Sequence, residues 1–301
     1  MGSSSRLRAI VLALLVTFLW STSWVLIKRG LTEIPPLTFA GLRYAIAFLF
    51  LLPACWRRRA EVRALSLRDW GQLLALGLVF YALTQGGQFL SLKYLDAITF
   101  SLILSFTPIL VAMTGAVSLR EKPTRLQWIG IAITLSGVAL YFLPSGVPRG
   151  GALGLLLAGI TVAANAGASI LGRAVNRRHA ASPIVVTAIS MGIGAVCLLS
   201  AGVGTRGLPH LGLASWGIIL WLAVVNTALA FTLWNITLRT LSATESSVIN
   251  NTMLVQIAVL AWLFLGETPS PVEIGGLLVV ALGTLLVQLR RQPRTNALPR
   301  R

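Results

Sequence analysis

Tyr81, Gln85, Gln88 and Leu92 recur at steps of three or four residues within one apolar run, the spacing that puts them on one helix face. Thr227, Phe231, Trp234 and Leu238 form a second stripe, Ser101, Ser105 and Pro108 a third, and Ser247, Asn251 and Leu254 a fourth with Asn250 beside it. Trp20 and Trp24 stand in the first apolar run and Asn165 in the sixth. Amides and hydroxyls bond the carboxylate and ammonium of a zwitterion, and aromatic faces take an apolar side chain or a cation. A path lined this way suits a neutral zwitterion and suits a highly charged ligand poorly. Taken singly, each Ser or Asn is as well explained by bonding a neighbouring helix, and each aromatic by packing. The joint pattern favours a lined substrate path, with the first two stripes as facing walls.

Three further residues read as structural or gating. Arg43 is the one basic side chain well inside an apolar run, and it pairs either with a substrate carboxylate or with protein groups. Pro108 lies mid-run, where a missing N–H kinks a helix. Glu245 begins the ninth run, and Glu121 and Glu267 end helices in opposite halves, positions that suit boundary and capping roles. There is no His-Glu-x-x-His motif, no paired intramembrane Asp and no Gly-x-Ser-x-Gly elbow, and His179 and His210 fall in loops. This argues against an intramembrane enzyme and indicates neither metal nor organic cofactor. The runs hold too few titratable groups for a dedicated proton relay.

The elements that must position these residues follow from composition. Of 301 residues 56% are hydrophobic and 11% charged, with mean hydropathy +0.83, so lipid is the main solvent. Ten apolar runs of spanning length lie near 8–28, 36–55, 70–91, 97–119, 126–143, 151–172, 183–202, 214–237, 243–265 and 272–289. Backbone groups in hydrocarbon must be satisfied within the segment, so the spans are helices and the fold class is an all-α membrane protein. The first run is a retained helix, not a removable signal peptide. The net charge of +17 reads as topology and not as nucleic-acid binding. With a cytoplasmic N-terminus, 19 Lys and Arg fall on the cytoplasmic side and 5 on the other, which favours both termini inside.

A shift of 146 residues superposes Trp70-Gly71 on Trp216-Gly217, Ala97 on Ala243, Ser101 on Ser247, Glu121 on Glu267, and Gly130 and Gly137 on Gly276 and Gly283. The two repeats, residues 1–147 and 148–301, hold five spans each. An odd number inverts the second copy relative to the first, which is an architecture for alternating access.

Trp20-Ser21-Thr22-Ser23, Arg43, Pro108, Arg120-Glu121-Lys122-Pro123, Leu265-Gly266-Glu267-Thr268-Pro269 and the paired glycines resemble the ten-helix, EamA-type members of the drug/metabolite transporter superfamily. Within it the chain looks most like the bacterial aromatic amino acid exporters. That resemblance implies outward movement of amino acids across the bacterial inner membrane, with the bilayer and a small-molecule substrate as partners and a monomer or weak homodimer as the assembly. The helix 1 Glu of the four-helix drug exporters of this superfamily has no counterpart here, which weighs against cation exchange of that type. Export of other metabolites or drugs, a non-carrier membrane channel and an intramembrane enzyme are the alternatives.

Overall fold

The computed structural model describes residues 3–118, 124–144, 151–177, 181–237, 240–241 and 243–288. The Arg120-to-Pro123 motif, His179 and Leu238 lie outside the described residues, as does the side chain of Glu245. Every regular element among the described residues is helical.

The first half runs through α1 (Ser3–Gly30), α2 (Pro36–Trp56), a short α3 (Arg59–Arg63), α4 (Leu67–Leu76), a π-helical segment (Gly77–Gln85), α5 (Gly86–Tyr94), α6 (Ala97–Leu104), α7 (Thr107–Ser118) and α8 (Arg125–Phe142). The second half runs through α9 (Gly151–Arg177), α10 (Pro183–Arg206), α11 (Leu213–Ala223), a second π segment (Val224–Leu229), α12 (Ala230–Thr237), α13 (Ala243–Leu265) and α14 (Pro271–Gln288). Eight helices are long and apolar enough to cross a membrane, and two shorter apolar ones, Leu213–Leu229 and Ile249–Leu265, accompany them.

The two π segments stand at matching places in the two halves, each in the middle of a long helix. In each, a threonine hydroxyl donates to the carbonyl five residues back, Thr84 to Val79 at 2.9 Å and Thr227 to Leu222 at 2.8 Å. The wide turn admits one more residue than an α-turn, so the side chains beyond it rotate off the face that an α-helical spacing assigns them.

Packing follows the small residues. α8 lies against α14 so closely that a methyl group on Gly137 would meet the Val280 nitrogen at 2.7 Å and the Gly276 carbonyl at 2.9 Å. One on Gly276 would in turn meet the Tyr141 nitrogen at 2.7 Å and the Gly137 carbonyl at 2.8 Å. α2 packs on α10, where Gly41 and Gly202 each face backbone of the other helix. α1 packs on α13 and on the α11–α12 helix, and α9 on α6–α7 and on the α4–α5 helix. Exchanging the two halves leaves this set of pairings unchanged, as an internal repeat requires.

The fourth run is interrupted, not merely bent. α6 ends at Leu104, Ser105 and Phe106 form a turn, and Pro108 sits in the first turn of α7, where its missing N–H removes no helix bond. Leu110 and Ile109 instead donate to the Phe106 carbonyl at 3.1 and 3.0 Å.

Gly137→Ala is expected to destabilise the detergent-solubilised protein by about 1–3 kcal/mol, because the added methyl meets backbone that cannot rotate away. Gly71→Ala, with nothing within 4 Å of the added methyl, is expected to leave the melting temperature unchanged or raised. Paired thermal melts read the contrast.

Candidate functional site

A cavity of about 560 Å³ lies between α1, α6–α7, α9, α12, α13 and α14. Its apolar wall includes Trp20, Trp24, Phe80, Trp234, Met253, Leu254 and Ile257; its polar wall includes Ser101, Ser105, Thr107, Asn165, Ser169, Ser246, Asn250, Asn251, Thr284 and Gln288. Among the described residues no Asp, Glu, Lys, Arg or His lines it. Ser169 and Asn250 are exposed, whereas Ser101 and Trp24 are buried at the far end. The mouth is therefore on the face where α9 and α14 end and α13 begins.

The aromatic wall is built by α1 and α12. Trp20 has the Phe231 ring at 5.3 Å and the Trp234 ring at 5.2 Å, both tilted, and Trp24 has Phe100 at 5.2 Å. These geometries are the favourable inclined arrangements for aromatic pairs. A zipper of small polar groups holds α1 in place. Ser21 donates to Gln256 at 2.9 Å, Gln256 donates to Thr17 at 3.3 Å and Thr252 at 3.1 Å, and Asn226 donates to the Leu19 carbonyl and to Thr22.

On the polar wall several groups already bond protein. Asn251 donates to the Ala281 carbonyl at 2.7 Å and accepts from Thr284 at 3.0 Å, and Asn165 donates to Thr107 at 3.3 Å. Others are open: the indole N–H of Trp20, the Ser246 hydroxyl and the Gln288 carbonyl oxygen are buried in the wall with no hydrogen-bond partner among the described residues. Buried polar atoms normally find a partner, so these three stand out in the packing of the wall.

Of the residues singled out by spacing, Trp20, Trp24, Ser101, Ser105, Pro108, Asn165, Trp234, Asn250 and Asn251 meet in this cavity. Tyr81, Gln85, Gln88 and Phe231 are not among its lining. Tyr81 is buried against α2, its ring 5.4 Å from that of Tyr44, and the Tyr44 hydroxyl donates to Gln85 at 2.7 Å. The expected facing walls therefore do not form. Tyr81 and Gln85 do share a face, but that face meets Tyr44 of α2, and the neighbouring Phe80 is the residue of this π-helical segment that lines the cavity. Thr284, Gln288, Ser246 and Ser169 also line it although the sequence reading does not select them; the available signal is i, i+4 spacing, Thr284 to Gln288, Ser246 to Asn250 and Asn165 to Ser169.

Arg43 also lies outside the cavity lining. It is 4% exposed, its Nε donates to Thr227 at 3.0 Å, and its guanidinium carbon sits 5.3 Å from the Tyr44 ring centroid. It thus ties α2 to the second π segment, the structural side of its two expected roles.

The face opposite the mouth is closed by charged groups on helix ends. Lys28 donates to the carbonyls of Leu92 at 2.9 Å and Leu95 at 2.6 Å, and Arg29 to that of Phe264 at 3.0 Å. The Glu267 carboxylate accepts from the N–H groups of Ala97 at 2.8 Å and Ile98 at 3.0 Å. Burial pushes the Glu267 carboxyl above its ordinary range, while these two donors pull it back; Asp96 adds to the rise and Lys28 opposes it.

The EamA-like transporter family model matches residues 7–143 and again residues 151–289. The chain belongs to the EamA-like transporter family. It is a multi-pass membrane transporter. An uncharacterized transporter of Bacillus subtilis, YvbV, is 29% identical over 96% of this chain and 94% of its own length. An uncharacterized transporter of Archaeoglobus fulgidus is 27% identical over 94% and 99%. A protein of Chlamydia trachomatis serovar L2 named S-adenosylmethionine/S-adenosylhomocysteine transporter is 27% identical over 93% and 88%. A crystal structure of another protein superposes with TM-score 0.66 at 18% identity over 94% of this chain and 97% of its own, and it shares the fold.

The π-helical phase has a direct readout in this EamA-like transporter. In a cysteine-free background, Phe80→Cys is expected to react with a water-soluble maleimide reaching the cavity from its mouth, and Tyr81→Cys to be protected. Equal reactivity of the two would show that Tyr81 is not packed away from the cavity in the membrane.

Proposed function

We propose that the protein exports small molecules of zero net charge, amino acids with aromatic and other neutral side chains first among them. It does so by alternating access between two halves related by inversion, from a bacterial inner membrane with both termini cytoplasmic. The observation that carries the substrate class is the cavity wall: three Trp side chains, amides and hydroxyls, and no ionisable group among its described residues. A solute with a net charge would enter without a counter-charge, whereas a zwitterion brings its own and needs only dipoles and ring faces. A volume of about 560 Å³ suits a ligand of this size with accompanying water. The exchangeable packing of the halves, the paired π segments and the 146-residue register support the inverted repeat. Cytoplasmic termini rest on the distribution of Lys and Arg.

A second substrate reading has its own support. The Chlamydia relative is named for S-adenosylmethionine, an amino acid carrying a sulfonium and an adenine, and tilted Trp faces attract soft cations and stack on bases.

Uptake of labelled aromatic amino acids, aliphatic amino acids and S-adenosylmethionine into proteoliposomes separates these readings. Saturable transport of a neutral amino acid is expected, with Trp234→Ala raising KM about tenfold, as loss of a ring contact of roughly 1.4 kcal/mol implies. Gln88→Ala, outside the lining, is expected to transport normally. Transport of S-adenosylmethionine alone, a solute of net charge +1, would select the second reading over the first, and saturable transport only of charged solutes other than S-adenosylmethionine would reject both.

A further inference from the structure

Two carboxylates compete for one set of donors at the start of α6, and only one of them is seated. Asp96 occupies the N-cap position with extended backbone (φ −66°, ψ 152°), the residue type and conformation that ordinarily cap a helix, yet its side chain makes no capping hydrogen bond. The donors of Ala97 and Ile98 are filled by Glu267, which arrives from the turn after α13. Two other helices carry local caps, Ser66 with Asp69 at α4 and Thr124 with Gln127 at α8.

Gly266 makes the intruding contact possible. It stands immediately after α13 at φ +70°, a left-handed conformation that turns the chain back so that Glu267 faces α6. Lys28, with its ammonium on the Leu92 and Leu95 carbonyls, interacts electrostatically with both Asp96 and Glu267.

We propose that the α6 N-terminus is a two-position latch for the closed face of the cavity. With Glu267 seated, α13 is fastened to α6 and the face opposite the mouth is shut. When Glu267 leaves, Asp96, as the N-cap residue, is placed to take the Ile98 and Thr99 donors, so opening leaves only the Ala97 N–H to be met by water. An uncapped helix start in a low-dielectric surrounding would be costly. Exchanging one carboxylate for another keeps the two positions close in free energy, which a reversible gate needs. The latch presumes the alternating access proposed above, but its test needs no substrate.

The test is accessibility of Ser101→Cys, at the far end of the cavity, in an otherwise cysteine-free chain in vesicles. An impermeant maleimide is added only on the Glu267 face, and a cysteine at exposed Thr32, in the turn after α1 on that face, reports orientation. Glu267→Gln, which keeps the side-chain shape, is expected to raise the labelling rate roughly tenfold, the scale of a lost charge-assisted hydrogen bond. Adding Asp96→Ala to Glu267→Gln is expected to bring labelling back down, because the open position then lacks its cap. Adding Asp96→Asn, which caps about as well as Asp, is expected to leave it high. Glu273→Gln, in the first turn of α14 with its carboxylate on the Ser270 N–H, serves as the control and is expected to leave labelling unchanged. A general loosening would raise labelling in every variant. Labelling that stays low in Glu267→Gln, stays high after Asp96→Ala, or rises in Glu273→Gln overturns the latch. Unchanged elution on size exclusion shows that each variant is folded, and failure of all tested solutes to be transported leaves the reading of these rates intact.

Discussion

Hydrocarbon offers no hydrogen bonds, and that constraint places almost every polar group in this protein. Helices satisfy their own interiors but leave four donors at the N-terminal end and four acceptors at the C-terminal end. The carboxylates are used there. Glu33 accepts from Ser215 at the start of α11, Glu61 from the Ser182 N–H before α10, Glu267 from the start of α6, and Glu273 from Ser270 before α14. Lys28 and Arg29 serve the carbonyl ends in the same way. Because these charges are committed to helix termini, the spans between them are left to Ser, Thr, Asn, Gln and aromatic side chains. The absence of ionisable groups among the described lining of the cavity follows from this placement.

Within the spans, polarity and smallness divide the work. Where Gly130, Gly137, Gly276 and Gly283 bring α8 and α14 to backbone contact, no side chain can adjust and the pair acts as one body. Around the cavity, α1 is held to α13 by hydroxyl and amide contacts of about 3 Å, which can be remade in another register at modest cost. Arg43 belongs to the first kind of contact. A buried guanidinium is costly to leave unpaired, and bonding Thr227 fixes it to the wide turn that redirects the helix leading to Trp234.

Much of this was legible in the residues. Helix ends fell within a few residues of the apolar run boundaries because transfer free energy changes sharply there. Trp20, Trp234, Asn165 and Asn250 were found because polar or aromatic groups in such runs need a reason. The π segments were not legible: Gly77 to Gln85 reads as an ordinary helical stretch, and its wider turn is set by the Thr84 hydroxyl and by packing on α9 and α10. Nor does spacing tell which neighbour a shared face meets: Tyr81 and Gln85 face α2, and Phe80 faces the cavity. Glu267 was readable as a helix terminator, but not as the cap of a helix 170 residues earlier in the chain, since only the folded chain brings the two together.

A neutral cavity also bears on how a solute leaves. A fixed counter-charge in low dielectric would bind a charged ligand strongly and release it slowly. Dipoles and ring faces hold a zwitterion by several contacts of about 1 kcal/mol each, and water entering from either mouth can replace them one at a time. The latch proposed for the closed face follows the same replacement logic, with the Ile98 donor passing from Glu267 to Asp96. In both places the polar groups of the protein always have a partner, and what changes between states is which partner it is.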